Sequence, residues 1–406
     1  MPDKSATTPV IISAARTPIG RFLGALAPVS APDLGAIAIR AAVERAGIDP
    51  GEVEEVIMGN VVQGGVGQAP ARQAMIRAGI PATTSAVTIN KVCGSGLKAV
   101  MLAAQAIKAG DAQVIVAGGQ ESMSNAPYYL YGMRNGVKLG DQQLVDGVIR
   151  DGLWCSFCDV HMGSHAEYTA RKAKVTREMQ DEFAVQSHRK AVAAQESGKF
   201  EEEIVPVEIA GRKGAVRVSA DEGPRKDSSL ESLGKLRPAF GGNGGGDSAE
   251  ELSVTAGNAS SLNDGGSALV VTSEAYARAH GLTILARVNA YATGAVEPQD
   301  LFFAPVTAVR NLMSKQKTTI GSYDLIEANE AFASQALADG RELDWDWDRV
   351  NVHGGAIALG HPIGASGARV LTTLLYAMRD RDAATGLATL CLGGGDAVAL
   401  SVERMN

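Results

Sequence analysis

One pattern constrains the fold more than any other: an α/β unit that occurs twice, once near each end of the chain. In the first unit Gly94-Ser95-Gly96 opens an Ala-rich helix, and an apolar strand predicted at 114–117 is followed by two glycines. In the second unit Ser366-Gly367 opens a helix of similar length, and an apolar strand predicted at 387–390 precedes three glycines. Strands that are apolar throughout belong to a sheet covered on both faces. The pattern therefore predicts an internal duplication of an α/β unit.

The other segments of the two ends fit this interpretation. Predicted strands lie at 10–13, 56–59, 87–90 and 325–328, and predicted helices at 34–46, 97–109 and 367–379. Gly47 and Gly110 end the first two helices, as glycine commonly does at a helix C-terminus.

The middle third, 122–258, differs because turns and charges interrupt the pattern. It contains predicted helices at 166–173 and 177–195, a charged strand-like stretch at 201–219 and a Gly- and acid-rich segment at 239–253 that we predict to be a mobile loop. A buried-strand pattern returns at 267–271. We therefore predict a lid or loop domain inserted into the first α/β half, which resumes at that strand.

Composition narrows the class of protein. The chain has 406 residues and a net charge of −7, with no basic run that would suit nucleic acid. It has no apolar stretch of about 18 residues, so no membrane span is expected, and its start does not resemble a targeting segment. Four cysteines do not make a disulfide framework. We predict a cytoplasmic protein without nucleic-acid or membrane partners.

Cys93 lies between a predicted strand and the Ala-rich helix, in Asn90-Lys91-Val92-Cys93-Gly94-Ser95-Gly96. The free N–H groups and partial positive charge of a helix N-terminus favour a thiolate over a thiol. The glycines beside it would let a substrate approach the backbone. A lone cysteine is more often a small buried apolar residue, but this strand-to-helix position favours a nucleophile.

His361 precedes a proline and lies among five glycines within 354–367. Active-site residues concentrate on irregular backbone of this kind, although a core histidine bonded to the backbone is an equally good interpretation of His361 alone. Cys391 precedes Leu392 and three glycines at the end of a predicted buried strand. Taken alone, it too is more simply a core residue.

Cys155 and Cys158 form a Cys-x-x-Cys pair, which can be half of a zinc site or a redox pair. A zinc site needs two more ligands, for which His161 and His165 are candidates. Two free thiols are the simpler interpretation, and from the sequence we predict no metal.

Together the motifs are specific. The segments around Cys93, His361 and Cys391 resemble, in order and approximate spacing, three signatures of the thiolase family, and Asn329-Glu330-Ala331-Phe332 resembles a fourth. The resemblance covers residues 10–402. It implies an α/β fold of duplicated βαβαβαββ halves that form a five-layer αβαβα core. The implied domains are an N-terminal half at 1–122 completed by 263–283, a loop domain at 123–262 that covers the coenzyme A site, and a C-terminal half at 284–406.

The resemblance also implies roles. Cys93 would take the acyl group as a thioester after His361 helps to deprotonate it. Cys391 would be the second acid/base, acting on the α-carbon of the second acetyl-CoA. In the family His361 and a water held by Asn329 stabilise the enolate, and the backbone N–H groups of Cys93 and Gly393 form a second oxyanion hole, where one donor is typically worth about 3–4 kcal/mol. A side chain at Gly393 would block that hole.

The coenzyme A arm is implied to thread between the loop domain and the main body. The matching positions are Leu153, His161, Met162, Arg225, Ala256, Ser260, Ala331 and Phe332. Arg225 suits the adenine end and Ser260 the pantetheine amide, whereas packing within the loop domain is an equal alternative for His161 and Met162. Coenzyme A and acyl-CoA are expected as substrates, with no permanently bound cofactor.

His161-Met162-Gly163 resembles the short-chain, biosynthetic branch of the family. This implies an acetyl-CoA C-acetyltransferase that interconverts acetyl-CoA and acetoacetyl-CoA, with a 3-ketoacyl-CoA thiolase of broader chain length as the alternative. Departures bear on chain length: two aromatics within 301–305 replace a Gly-rich pattern, His165 stands where Thr is usual, His353 stands where Asn is common, and 241–251 resembles an insertion. A homodimer or homotetramer is implied.

Three other classes of protein share features with this sequence. Ketoacyl and hydroxymethylglutaryl synthases share the fold but lack a second catalytic cysteine, so Cys391 argues against them. The stretch His353-Gly354-Gly355-Ala356 resembles an α/β-hydrolase oxyanion motif, which normally precedes its nucleophile and here follows Cys93. A non-catalytic scaffold would be expected to have lost Cys93, His361 or Cys391, and all three are present.

Overall fold

The computed structural model describes residues 4–211, 214–240 and 252–405. The predicted insertion at 241–251 lies outside the described residues, as does most of the predicted mobile loop at 239–253.

Five strands of the first half form a mixed sheet. They are β1 (Pro9–Arg16), β2 (Glu55–Gly59), β3 (Ser85–Ile89), β4 (Val114–Ser122) and β5 (Asn263–Ser273). The order is β3-β2-β4-β5-β1; β2 is parallel to β3 and β4, and β5 is antiparallel to β4 and β1. The strand predicted at 267–271 thus returns to the first sheet after the long middle segment.

The second half repeats this topology. Its strands are β6 (Ala286–Ala295), β7 (Leu325–Ala328), β8 (Thr385–Leu392) and β9 (Asp396–Arg404), in the order β7-β8-β9-β6. β7 is parallel to β8, β9 is antiparallel to β8 and β6, and Val350 makes a parallel bridge to Ile326 of β7. The segment at Val350 can be counted as a short third strand of this half. When the strands of each half are numbered along the chain from 1 to 5, both sheets then have the order 3-2-4-5-1. The predicted duplication is confirmed.

The longer helices cover and separate the sheets. They are α1 (Ala31–Ala46), α2 (Pro70–Arg77), α3 (Ser95–Ala109), α4 (Met162–Lys172), α5 (Arg177–Glu196), α6 (Ala304–Gln316), α7 (Ala333–Leu343) and α8 (Ser366–Asp380). α1 packs on the first sheet together with α2, α6 packs on the second, and α3 and α8 pack on each other between them. The sheets meet where β1 and β6 pair at only two positions. This is the five-layer core that the resemblance implies.

Glycines in the repeated motif let the two central helices touch. A Cβ at Gly96 would lie 2.5 Å from the backbone nitrogen of Ala368, and a Cβ at Gly367 would overlap Leu97. A side chain at either position would force the helices apart. From the sequence, the glycines beside Cys93 were interpreted as making room for substrate. For Gly96 this interpretation is revised, because Gly96 makes room for the other half of the protein.

β4 is longer than predicted. The glycines at 118 and 119, interpreted as the end of a strand at 114–117, lie inside β4, which continues to Ser122. A Cβ at Gly118 would overlap the carbonyl of Ser267, and one at Gly119 the carbonyl of Gly364. Close backbone approach, and not a turn, explains this glycine pair. The longer strand carries Glu121 into the region of Cys93 and His361.

The middle segment is only partly as predicted. α4 begins at Met162, four residues before the predicted start, because Nδ1 of His161 accepts a hydrogen bond from the Gly163 N–H and caps the helix. The strand-like stretch at 201–219 contains two short antiparallel strands, Val207–Ile209 and Val216–Val218. None of the helices in the described part of the chain has the length and apolar character needed to cross a membrane.

Candidate active site

Cys93 lies in a strained turn between β3 and α3. Val92 has a φ of +46°, which is unfavourable for a β-branched residue. Oδ1 of Asn90 accepts from the Val92 N–H at 3.0 Å. Oγ of Ser95 accepts from the Lys91 N–H at 2.8 Å and donates to the Val92 carbonyl at 2.6 Å. These bonds hold the turn and fix the position of the Cys93 thiol at the start of α3.

Burial favours the protonated form of the Cys93 thiol. Burial raises the pKa of Cys93 to about 12, and the Glu121 carboxylate raises it further, while N–H groups of Cys93 itself and of Gly393 act on the sulfur in the opposite direction. Desolvation therefore outweighs the helix N-terminus, which corrects the expectation of a resting thiolate. Cys93 needs a base before it can attack.

His361 is a neutral base with a fixed tautomer. Its Nδ1 lies 2.6 Å from Oγ of Ser366, and that hydroxyl donates its one proton to the Pro362 carbonyl at 2.9 Å. Ser366 must therefore accept from Nδ1–H, which leaves the lone pair on Nε2. Burial, and secondarily the charge of Arg369, lowers the pKa of His361 to about 3. The ring can accept a proton at Nε2.

Asn329 follows β7 and lies beside this ring. Its Nδ2 is 3.5 Å from Nε2 of His361. Its buried Oδ1 has no hydrogen-bond partner among the described residues. Asn329 and His361 thus present two polar groups side by side, with amide hydrogen-bonding capacity left for a further polar group.

Cys391 is the next-to-last residue of β8 and is 1% exposed. Burial raises the pKa of its thiol well above the ordinary value, and a negative charge on Cys93 raises it further. That interaction requires the sulfurs of Cys93 and Cys391 to lie in one region of the protein. The two thiols, nearly 300 residues apart in sequence, are therefore not on opposite sides of the molecule.

Gly393 follows β8 and reaches Cys93 from the second half. Its N–H acts on the Cys93 sulfur together with the N–H of Cys93. A Cβ at Gly393 would meet only Val92 and Met162, at 3.5 and 3.9 Å, which are ordinary contacts. Packing alone does not require glycine here. A side chain would instead enter a cleft of about 450 Å³ that Gly393, Val92 and Met162 help to line.

Glu121 was not singled out from the sequence. Its buried carboxylate accepts from Nδ2 of Asn60 at 2.7 Å and from the N–H groups of Val61, Val62 and Gly364 at 3.0, 3.2 and 2.9 Å. It joins the loop after β2 to the loop that carries His361. Burial raises the pKa of Glu121 to about 7. The available sequence signal was a charged residue four positions after the apolar strand predicted at 114–117.

Glu330 holds the other side of the His361 loop. Its carboxylate accepts from Oγ of Ser187 at 2.7 Å, from Nδ2 of Asn351 at 2.8 Å and from the Ile357 N–H at 3.2 Å. The sequence marked Glu330 only as a member of the Asn-Glu-Ala-Phe motif. The structure shows a carboxylate that organises irregular backbone.

Some predicted coenzyme A positions lie along a second cleft, of about 440 Å³. Arg225 and Ala256 line it together with His188 and Ala259, and Ser260 follows Ala259 directly. Nδ1 of His188 accepts from the Arg225 N–H at 3.2 Å. Ala259 also packs in the apolar cluster around Cys391. The cleft therefore adjoins the region of the sulfurs.

The remaining predicted positions lie beside the two thiols. Leu153 packs against the same apolar cluster as Cys93, while Met162, Ala331 and Phe332 belong to or pack on the cluster around Cys391. The His161 ring stacks on Phe240 with a centroid distance of 5.0 Å. The predicted set thus divides into a cleft-lining group and a group around the sulfurs.

The two aromatics within 301–305 have different environments. Phe302 is 2% exposed, belongs to the Cys391 cluster and lies 5.3 Å from the Phe332 ring. Phe303 is only partly buried, and Nζ of Lys172 lies 5.3 Å from its ring centroid. Only Phe302 therefore fills space next to Cys391.

Comparison with known proteins identifies the family. The family model described as thiolase, N-terminal domain, matches residues 9–275, and that described as thiolase, C-terminal domain, matches 282–404. Acetyl-CoA acetyltransferases of Pseudomonas aeruginosa and Cupriavidus necator are 55% and 56% identical; the alignments cover 97% and 98% of this chain and 99% and 100% of the relatives.

A solved structure is similar as well. The crystal structure of the Bacillus anthracis acetyl-CoA acetyltransferase superposes with a TM-score of 0.94 at 42% identity, over 98% of this chain and 99% of that one. Two family models, close relatives over almost the whole length and the same architecture leave one conclusion. The chain belongs to the thiolase family of acyltransferases.

Proposed function

We propose that the chain is an acetyl-CoA C-acetyltransferase, which catalyses the reversible Claisen condensation of two acetyl-CoA into acetoacetyl-CoA and coenzyme A. The observation that supports the proposal is the electrostatic interaction between the Cys93 and Cys391 thiols. His361 lies 3.5 Å from Asn329, and Ile363 of its loop belongs to the apolar cluster against which Cys93 packs. The names of relatives at 55% and 56% identity support the same substrate.

The first half-reaction transfers an acetyl group to Cys93. Nε2 of His361 takes the thiol proton as the sulfur attacks the thioester carbon, because the pKa values of the two groups are too far apart for transfer to precede attack. The N–H groups of Cys93 and Gly393, which act on the Cys93 sulfur, would stabilise the tetrahedral oxyanion. Collapse expels the coenzyme A thiolate, which takes a proton from Cys391. The products are acetyl-Cys93, a Cys391 thiolate and a protonated His361.

The second half-reaction forms the carbon–carbon bond. The Cys391 thiolate removes a proton from the α-carbon of a second acetyl-CoA, and its raised pKa makes it a strong base. Nε2–H of His361 and a water held by Asn329 would stabilise the enolate oxygen. The enolate attacks acetyl-Cys93, and the departing Cys93 thiolate recovers its proton from His361. All three groups return to their starting states.

Short acyl chains fit the surroundings of Cys391. Phe302, Phe332 and Met162 pack about it and leave the acyl end bounded by large side chains. Thiolysis of 3-ketoacyl-CoA substrates of four, six and ten carbons, at one coenzyme A concentration, tests the preference. We expect kcat/KM to fall at least about tenfold from the four-carbon to the six-carbon substrate, since each methylene without space carries a penalty of this order. Equal or rising values would favour the broader 3-ketoacyl-CoA thiolase.

The chain is further proposed to form a homodimer or homotetramer. β3 is an edge strand of its sheet, and Val87 within it is 40% exposed. Tyr128, Tyr131 and Leu139 also expose large apolar surface on one loop. Light scattering at micromolar concentration tests this, and a monomer would contradict it. A cytoplasmic location stays a prediction.

A further inference from the structure

Three groups that commonly bind metals converge on the hairpin before α4, a site the proposed reaction does not use. The sulfurs of Cys155 and Cys158 and a ring nitrogen of His165 all lie within 4.8 Å of one another. Cys155 ends the strand Trp154–Cys155, which pairs with Val160–His161; Cys158 lies in the turn between them, and His165 on the first turn of α4. The fold thus brings a Cys-x-x-Cys pair and a histidine to one point.

His165 is oriented as a ligand. It is 2% exposed, and it donates a hydrogen bond to the backbone carbonyl of Gln299. Its Nε2 is buried and has no hydrogen-bond partner among the described residues. With the ring proton held at Nδ1, Nε2 keeps its lone pair. A carbonyl behind the ring is the usual support of a metal-bound histidine, and a buried nitrogen without a partner is otherwise costly.

The cysteine turn is also shaped for a ligand. The Cys158 N–H donates to the Cys155 sulfur at 3.4 Å, which fixes the position of that sulfur in the turn. The Asp159 N–H donates to the Cys155 carbonyl at 2.9 Å, and Asp159 has a φ of +55°, so the turn is tight. Cys155 is buried and Cys158 is partly exposed. An ion could therefore enter from the Cys158 side.

The donor set selects the ion. Thiolate and imidazole suit Zn²⁺, whereas Mg²⁺ and Ca²⁺ require oxygen ligands that the cluster lacks. Zn–S bonds of about 2.3 Å at a tetrahedral angle place two sulfurs about 3.8 Å apart, so only a small adjustment is needed. His161, a candidate from the sequence, is not in the cluster; its Nδ1 accepts from the Gly163 N–H. Three protein ligands leave one position open.

We propose that Cys155, Cys158 and His165 bind one Zn²⁺ ion, whose fourth position faces solvent. The sequence alone predicted two free thiols and no metal. This prediction changes because the structure brings His165 next to Cys155 and Cys158. The ion would tie the hairpin to α4. Phe157 in the same turn packs against Gly394, since a Cβ there would lie 3.1 Å from the Phe157 ring. The site is therefore adjacent to the glycine turn that carries Gly393.

The test uses the full-length chain with reduced thiols, titrated with Zn²⁺ in competition with a chromophoric chelator. We expect one Zn²⁺ per chain with a Kd below about 1 μM. Co²⁺ in place of Zn²⁺ should give a thiolate-to-cobalt charge-transfer band, and Zn²⁺ should raise the thermal unfolding midpoint. Absence of stoichiometric binding in this range would overturn the proposal.

Variants locate the ion. Cys158→Ser and His165→Thr should each weaken Zn²⁺ binding by at least about tenfold, since loss of even a supporting group costs 10–100-fold. Threonine is chosen because it is usual at this position in the short-chain branch that the sequence resembles. Circular dichroism checks that each variant is folded. A Cys93→Ala/Cys391→Ala double variant should bind one ion as before. Unchanged affinity in both site variants, or loss of binding in the double variant, would place the ion elsewhere and refute the proposal.

Discussion

Nδ1 of His361 lies 2.6 Å from Oγ of Ser366, the residue that begins α8. Because Ser366 donates its own proton to the Pro362 carbonyl, it can only accept from His361. A hydroxyl buried at a helix start thus decides that Nε2, and not Nδ1, is free to accept a proton. Ser366 contacts Nδ1 of His361 and not the reacting nitrogen Nε2, so it is a positioning residue.

Replacing Ser366 by Ala removes the acceptor that fixes this tautomer. We expect kcat for acetoacetyl-CoA thiolysis to fall about 10–100-fold, less than the roughly 10²–10⁴-fold contributed by general acid–base catalysis itself, because His361 remains in place. The rate of Cys93 acetylation should fall in parallel and its pH profile should shift, because an imidazole with Nδ1 unpaired can change tautomer. Stopped-flow acetylation across pH measures both.

The matched control is Ser401→Ala, which removes an equally buried hydroxyl from β9. Oγ of Ser401 lies 3.4 Å from the Ala290 carbonyl and far from His361 in the chain. Similar losses in the two variants would show that Ser366 matters only for packing.

Cys93→Ala should abolish acyl-enzyme formation. The side chain that forms the thioester is gone, and loss of a nucleophile of this kind lowers kcat by roughly 10⁴-fold or more. Intact-protein mass spectrometry after incubation with labelled acetyl-CoA measures it. An acetyl adduct still retained on the variant would show that another residue is the nucleophile.

Cys391→Ala should separate the half-reactions. Cys93, His361 and the Gly393 N–H remain, so the variant should still form acetyl-Cys93. Without the thiolate base, condensation should fall about 10²–10⁴-fold. Acetylation is followed by mass spectrometry and condensation by acetoacetyl-CoA production. Condensation near the wild-type rate would remove the acid/base role from Cys391.

The fold class could be predicted from the sequence. Glycine-rich turns at strand ends are local signals, and they marked Cys93, His361 and Cys391 as candidate site residues. The two halves could be predicted from their repeated pattern. The contact between the halves could not be predicted. Gly96 and Gly367 are needed only because α3 and α8 pack closely on each other, and that packing is not a local property of either segment.

Charge effects were the least predictable. The position of Cys93 at a helix start suggested a thiolate, yet burial sets its pKa, and burial is a property of the whole fold. Glu121 was missed for the same reason, since its four hydrogen bonds go to segments 60–62 and 364 from different halves. Local sequence carries no information about partners at that separation.

His361 should make the unfolding free energy depend on pH. Its folded pKa of about 3 lies below the ordinary 6.5, so between these values the unfolded chain binds a proton that the folded chain does not. Stability is therefore lost as pH falls below about 6.5, by at most about 1.4 kcal/mol per pH unit from this residue. His361→Asn should reduce the loss between about pH 7 and pH 5 by about 2 kcal/mol. Urea unfolding at fixed protein concentration measures it, and parallel pH curves would contradict the prediction.

Phe302→Leu should widen the acyl specificity. Phe302 is buried against Phe332 in the cluster around Cys391, so a smaller side chain opens space at the acyl end. We expect the ratio of kcat/KM for the six-carbon to the four-carbon substrate to rise about 5–10-fold, since one or two methylenes gain room. Phe200→Leu is the control: Phe200 is equally buried but packs beside Arg16, with the guanidinium 5.2 Å from its ring, in a separate cluster. Both variants lose packing, so only a change confined to Phe302→Leu can be assigned to the acyl site. An unchanged kcat/KM ratio in Phe302→Leu would mean that Phe302 contributes to the core and not to acyl specificity.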